Sequence, residues 1–485
     1  VIDWIKRKFA PAPIAKRSYD GAAGGRLTAD WITGPMSADA AMNGRLNTLR
    51  DRSRDLERNN PWVRGFLRIL ENNVIGETGI GLQMRVADPN GRQDEVANQL
   101  IENAWWRWGR VRNCSLNGRY SWVDIQRLVI RSIARDGEVI LRKVRTKDGL
   151  KLQVIEADYL DLDFTTLLAT GNEVRYGVEL DKVTQQVVAY HLLGWHPGDS
   201  LPIANRGRDR QRIPAEEIHH LFISDRPGQT RAAPWLVASM KTLRMLDGYS
   251  EAELVAARTA ASKMGFFTSD TPEGYAGEKD EQGNLTMDAS PGVLEQLPMG
   301  VKFESWDPSH PNNAFGDFIK SHLRGAATSL GVSYNTFASD LEGVNYSSIR
   351  AGLLEEREVW KHYQRYLIEH LCEPLFSEWL EWEMLRPGGI ALPVTKLWKF
   401  DVPDFRGRRW AWVDPKKDVE AAVTRINAGL SSQRREIAEG GGDLMEIFAD
   451  QAADQALAKQ MGLDFPELAS KPAPAGPPPF DPEDN

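Results

Sequence analysis

Residues 331–352, GVSYNTFASDLEGVNYSSIRAG, lie between two helical patterns and hold Gly, Asn, Asp, Ser and Tyr without an apolar stripe of their own. Ser and Asp side chains raise the question of catalysis, yet the stretch contains no base to activate a hydroxyl. Its Asp340, Asn345, Tyr346 and Ser347 suit local bonding to backbone or solvent. The stretch therefore reads as a mechanical, polar loop at 335–347 and not as a reaction centre. Upstream, AFGDFIKSHLRGAATSLG predicts a helix over about 314–331. Phe315, Phe318, Ile319, Leu323, Ala326 and Leu330 form its apolar face, and Asp317, Lys320, Ser321 and Arg324 its polar one. Downstream, Ser347 or Ser348 is the expected cap of a very long helix reaching about Leu385, with a bend at Pro374, which lacks the N–H its turn needs.

Farther toward the N-terminus, a helix is expected from Pro234 to about Met264. Its later half carries Ala252, Ala256, Ala257, Ala260 and Ala261, small enough for a close neighbour. Residues 265–312 interrupt the helices with an acidic, turn-rich insert. Residues 50–225 read as a mixed α+β domain with an antiparallel sheet. In it, Asn60-Pro61 opens a helix with Trp62, Phe66, Ile69, Leu70 and Asn73 on one face. A helix spans Asp94–Trp108, and Ser121 with Asp124 begins another whose stripe is Ile125, Leu128, Val129 and Ile133. A hairpin turns at Lys147-Asp148-Gly149, and strands are expected at 174–180, 187–193 and 217–223. On the C-terminal side, strands are expected at 390–400. Small helices follow at 413–460, with Gly429 ending one and Ser431 starting the next. Residues 1–50 read as an arm that orders against partners, and 461–485 as a disordered Pro-rich tail.

With 485 residues, 41% of them hydrophobic, the chain has material for more than one packed domain. Its net charge of −8 excludes a simple basic footprint for nucleic acid. Cys114 and Cys372 are too few and too far apart in sequence for a disulfide framework or a zinc site. Without an apolar leader in the first residues, or a run of about 18 apolar residues elsewhere, the expectation is a cytoplasmic, non-membrane protein. No HExxH, GxxxxGK[ST] or GxSxG pattern occurs, so no metal, cofactor or catalytic residue is expected. Sixteen Trp, clustered in AWWRWGR (104–110) and at 360–382, read as packing residues before they read as sugar or base platforms.

Seven stretches, taken in order, resemble the portal proteins of tailed bacteriophages of the lambda-like type. They are RSRDLERNNPWVRGFLRILENNVIG (52–76), SIARDGEVILR (132–142), VIEADYLD (154–161), RPGQTRAAPWL (226–236), YSEAELVAARTAAS (249–262), LGVSYNTFASDLEGVNYSSIRAG (330–352) and VDPKKDVEAAVTRINAGLSS (413–432). Ala232 stands where family members often have Gly. The resemblance covers about residues 50–460. It implies an α+β portal fold: an arm (1–50), a mixed wing (51–232), a stem helix (233–265), a clip (266–312) and a second stem helix (313–333). A tunnel loop (334–347), a kinked long helix with a wing return (348–412) and a helical crown (413–460) complete it.

The function implied is that of a head–tail connector in the virion: a homo-oligomeric ring, usually of twelve subunits, at one capsid vertex, assembled in the host cytoplasm. Double-stranded DNA would pass through it without sequence readout. A separate terminase large subunit would dock and later give way to head-completion or tail connector proteins, with the major capsid protein and scaffold as further partners. Twelve copies of −8 give about −96, a field that repels phosphate. The DNA-channel candidates are Lys320, Arg324, Asn335, Ser339, Asp340, Glu342, Asn345 and Tyr346. The docking candidates in the clip are Glu278, Lys279, Asp280 and Glu281. Two other classes remain at this stage: a glycan-acting enzyme with Trp platforms, and a capsid or adaptor subunit without a DNA channel.

Overall fold

A computed structural model describes residues 34–199, 209–261, 265–269, 301–305, 315–410, 415–440, 442 and 444–462. The N-terminal arm through residue 33, the candidates Glu278, Lys279, Asp280 and Glu281, and the tail from 463 lie outside these residues.

Helices α1 (Ala38–Met42), α2 (Leu46–Asn59) and α3 (Pro61–Val74) come first. Asn60 starts α3 as expected, accepting the Val63 N–H at 2.9 Å. The buried stripe is Val63, Phe66, Leu67, Leu70 and Val74. Trp62 and Ile69, expected on that face, only flank it. Strand β1 (Gly81–Met84) leads to α4 (Glu95–Trp108), capped by Asp94, and to the single turn α5 (Val111–Cys114). Helix α6 (Trp122–Asp136) begins with the expected capping box, Ser121 and Asp124 each bonding the other's backbone N–H. It stops at Gly137, where φ is +92° and an added Cβ would sit 2.4 Å from the Ala232 carbonyl oxygen. Only glycine permits both this backbone and this approach.

Strands β2 (Glu138–Thr146) and β3 (Gly149–Ile155) form the expected hairpin, closed by the pair Thr146↔Gly149. The expected single strand at 174–180 is instead a second hairpin. After β4 (Thr166–Leu167), β5 (Glu173–Arg175) turns into β6 (Val178–Leu180) with Arg175 paired to Val178. Tyr176 and Gly177 between them both have positive φ, the requirement of a type I′ turn. Strands β7 (Val187–Leu193), β8 (Arg210–Pro214) and β9 (Ile218–Phe222) complete two antiparallel sheets, ordered β3-β2-β9 and β4-β5-β6-β7-β8.

A 3₁₀ turn at Trp235–Ala238 precedes α7 (Met240–Ala261). Strands β10 (Gly265–Ser269) and β11 (Val301–Ser305) pair antiparallel and close the base of the insert between them. Helices α8 (Phe315–Ser329), α9 (Tyr334–Ala338) and α10 (Tyr346–Leu367) follow. The cap of α10 is Asn345, which accepts the Ser348 N–H at 2.9 Å, not Ser347 or Ser348. Helical backbone continues past Pro374 because one wider π turn, Ile368–Cys372, precedes α11 (Glu373–Leu385). The Glu373 N–H bonds the Ile368 carbonyl five residues back, so the missing proline N–H falls where the ladder has already changed step. The strands expected at 390–400 are a 3₁₀ turn and α12 (Leu397–Phe400); the strand is β12 (Pro403–Arg406), paired with β1. Helices α13 (Pro415–Asn427), α14 (Gln433–Glu439) and α15 (Leu444–Met461) end the described chain. Gly429 turns the chain after α13 with φ +73°, and Ser432, not Ser431, caps α14 through the Arg435 N–H.

The main core collects the tryptophans. Trp105 packs on Trp108, Trp379 and Phe376 with ring centroids 4.6, 4.9 and 5.6 Å apart. Trp105, Trp108, Trp360 and Trp379 are buried, so these rings offer no platform to a sugar; of the tryptophans in the 104–110 cluster, Trp106 alone is exposed. Among the described residues no helix is long and apolar enough to cross a membrane.

One buried cluster joins the parts. Glu138, fully buried, is bonded by Arg50 of α2, by Arg231, by His220 Nε2 at 2.9 Å and by the Ala232 N–H at 3.3 Å. Arg231 also donates to the carbonyls of Ala157 (3.0 Å) and Tyr176 (2.8 Å), which ties the second sheet to the first. Burial pushes the Glu138 carboxyl up, but Arg231, Arg50 and His220 beside it hold it well below the ordinary carboxylate value. A depressed carboxylate adds stability that is complete above the ordinary value near 4.5 and is lost as pH falls through the folded value. Glu138→Gln should lower unfolding free energy at pH 7 by about 3–5 kcal/mol, since two buried guanidinium groups lose their counter-charge. It should also flatten the acid limb of a stability–pH curve, both read by denaturant unfolding; a loss under about 1 kcal/mol would mean the cluster is not a keystone.

Candidate functional site

Helix α8 buries Leu323, Ala326 and Ala327. Phe318, expected on that stripe, is exposed, with its ring 5.2 Å from Tyr249 of α7. After α8 the chain reverses at Gly331, where φ is +69°. Ser333 then caps α9 by accepting the Thr336 N–H at 3.2 Å, and Phe337 anchors α9 in the core. The stretch expected as one loop over 334–347 is thus helical at both ends: Tyr334–Ala338 is α9, while Tyr346 and Ser347 open α10. Irregular backbone is confined to 339–345.

This short segment is held by its own side chains. Ser339 adopts the left-handed conformation (φ 54°, ψ 36°), uncommon for a residue with a Cβ. The Ser339 and Asp340 N–H groups both bond the Asn335 carbonyl. Asp340 accepts the Glu342 N–H at 2.9 Å and the Tyr334 hydroxyl at 2.7 Å. Lys320 reaches across from α8 to Glu342 (2.9 Å) and Asp340 (3.7 Å). The Glu342 bond raises the Lys320 ammonium above its ordinary value, and the Tyr334 and Glu342 bonds lower the Asp340 carboxyl. Arg324 lies over the Tyr334 ring, 5.2 Å from its centroid.

Geometry therefore brings Lys320, Asp340 and Glu342 together, adds Arg324 through Tyr334, and gives Asn345 the role of a helix cap. Asn335 contributes a backbone carbonyl, and Tyr346 is the first residue of α10. Sequence reading missed Tyr334 and the support beneath: Glu356 of α10 accepts the hydroxyls of Thr336 (2.8 Å) and Ser333 (3.2 Å). Burial raises the Glu356 carboxyl, opposed by those two hydroxyls. The local signal was the hydroxyl pair three residues apart at the α9 cap; its carboxylate partner lies 20 residues on and has no local mark.

Among the described residues, Glu156, Asp158 and His196 are near enough together to hold a cation. Two of the three are partly engaged: His196 Nδ1 accepts the Gly198 N–H at 3.1 Å, with Nε2 lying 3.2 Å from Glu156, and Asp158 is paired with Arg54.

Residues 24–364 match the family profile described as phage portal protein, lambda family. The probable portal protein of Halomonas phage phiHAP-1 is 35% identical over 464 residues, covering 94% of this chain and 89% of that protein. Portal protein B of Escherichia phage lambda is 22% identical, covering 92% and 90%. Among solved structures, a chain in the neck of a native gene transfer agent particle computed with C12 symmetry covers 81% of this chain and 93% of its own, at 12% identity and a TM-score of 0.42. By the length and identity of these sequence matches, the chain belongs to the lambda family of phage portal proteins.

Proposed function

We propose that this chain is the subunit of a ring, of twelve copies, that sits at one vertex of the capsid and passes double-stranded DNA during packaging and ejection. The observation that carries this reading is family membership, with a 35%-identical portal relative matched along nearly its whole length. In this reading residues 51–232 are the wing, α7 and α8 the stem, 266–312 the clip and 413–460 the crown. The motor is a separate terminase large subunit, which docks at the clip around Glu278, Lys279, Asp280 and Glu281 and is later replaced by connector proteins. Capsid protein and scaffold are the remaining partners.

The segment 339–345 is the part that faces DNA. A surface touching a moving duplex must bind it weakly and without sequence preference, because phosphate-gripping lysines bring strong, salt-dependent affinity. Lys320 is already paired with two carboxylates, which supports a face that guides the duplex and does not grip it. Deletion of Ser339–Gly343 should leave folding and ring assembly intact, because the buried anchors Phe337 and Glu356 stay in place. Filled heads, counted after packaging in cells, should fall at least about tenfold, a loss of roughly 1.4 kcal/mol in the limiting step. Normal filling with normal DNA retention would remove the segment from the channel, and loss of rings would make it a packing element.

The clip reading is tested separately. Strands β10 and β11 close the base of the insert, so replacing 270–290 by a short linker should spare rings and weaken terminase or connector docking in a pull-down of purified components. Unchanged docking on intact rings would refute the assignment.

A further inference from the structure

A second surface lies at the end of α4 and in the segment joining α4 to α6. Residues 103–123 contain four arginines and no carboxylate, in a chain whose net charge is −8. The segment is compact: the Trp122 N–H bonds the Gly109 carbonyl at 2.8 Å, and Cys114 Sγ lies 3.4 Å from the Tyr120 carbonyl oxygen. Its flank is pinned to the edge strand β3 by the Leu116 N–H to the Leu152 carbonyl, 2.8 Å.

What it presents outward is unusual for this protein. Trp106 is 63% exposed, and Val111 and Leu116 are exposed as well. Arg107, Arg110, Arg112 and Arg119 are exposed too, and among the described residues none of the four is bonded to a carboxylate. Arg110 lies over the Trp106 ring, 3.9 Å from its centroid. Exposed Trp and Arg beside aliphatic side chains are the composition of a protein-binding centre. The same residues would serve nucleic acid less well. One face of Trp106 is covered by Arg110, which removes a stacking face for a base, and two aliphatic side chains gain nothing against phosphate.

We propose that the surface formed by Trp106, Val111, Leu116, Arg110, Arg112 and Arg119 docks an acidic, amphipathic segment of a partner protein. Carboxylates of that segment meet the unpaired arginines, and its apolar face covers Trp106 and the aliphatic side chains. The charge complementarity favours an acidic partner and sets the encounter rate. This surface is distinct from the DNA-facing segment, so its test stands or falls without the channel reading.

The probe is a fluorescein-labelled helical peptide of about 18 residues, five turns long, with Glu and Leu at amphipathic spacing, titrated onto the full chain by anisotropy. An otherwise identical peptide with Lys for Glu and a duplex of about 20 base pairs serve as controls. The acidic peptide should bind the wild type. Trp106→Ala and the double variant Arg110→Glu/Arg112→Glu should each weaken it at least about tenfold. Both variants should keep the wild-type unfolding midpoint and assembly state, since all three side chains are exposed. Equal binding by wild type and variants, absence of peptide binding, or displacement of the peptide by the duplex would overturn the proposal. Loss of assembly in folded variants would also overturn it, by placing the surface between copies of this chain.

Discussion

The carboxylate of Glu138 is the point on which the described fold turns. It is fully buried, and it is bonded by two arginines, a histidine and a backbone N–H from three separate parts of the chain. Such a charge is tolerated inside only while every partner is present, because desolvation alone would cost several kcal/mol. Its position follows from Gly137, whose positive φ and lack of a Cβ let α6 end against the Ala232 carbonyl. From there Arg231 reaches the second sheet, and Arg50 reaches in from α2. The two sheets and the N-terminal helices are thus fixed relative to one another by electrostatics at a single site, with the tryptophan core supplying the apolar burial beside it.

Much of this was written in local sequence. Caps at Asn60 and Ser121 and the hairpin at Lys147-Asp148 each depend on two or three neighbouring residues, and each stands where the pattern put it. The stretches 52–76, 132–142 and 226–236 were recognisable through their order along the chain; that Arg54, Asp136, Glu138 and Arg231 meet was not legible, because nothing local encodes a contact across about 90 residues. Other features were misread where tertiary pairing outweighs propensity. A continuous β-like run at 174–180 hides a turn that Tyr176 enters in a strained conformation. Strand β12 forms at 403–406 because β1, more than 300 residues earlier, offers it an edge. The helical backbone expected to run through Pro374 does so, with a π turn before it that no local pattern announced.

The candidate site shows the same division. Its polarity and its glycine punctuation were legible, and so was the polar face of α8. Which charges are free was not. Lys320 looks like a phosphate contact in sequence and is an ion-pair member in the fold, with Asp340 and Glu342 as partners. The segment that the chain offers to its surroundings is therefore held by short-range bonds above Glu356, with two carboxylates set against the one Lys320 ammonium. A channel lining built from such segments would keep DNA centred mainly through the acidic field of the whole assembly.

Class-averaged electron microscopy of the purified full-length chain tests the central claim most directly. The account predicts closed rings with an axial opening wide enough for a duplex, about 20 Å across, and twelve-fold rotational symmetry. Monomers at every concentration, or closed assemblies without an axial opening, would contradict it.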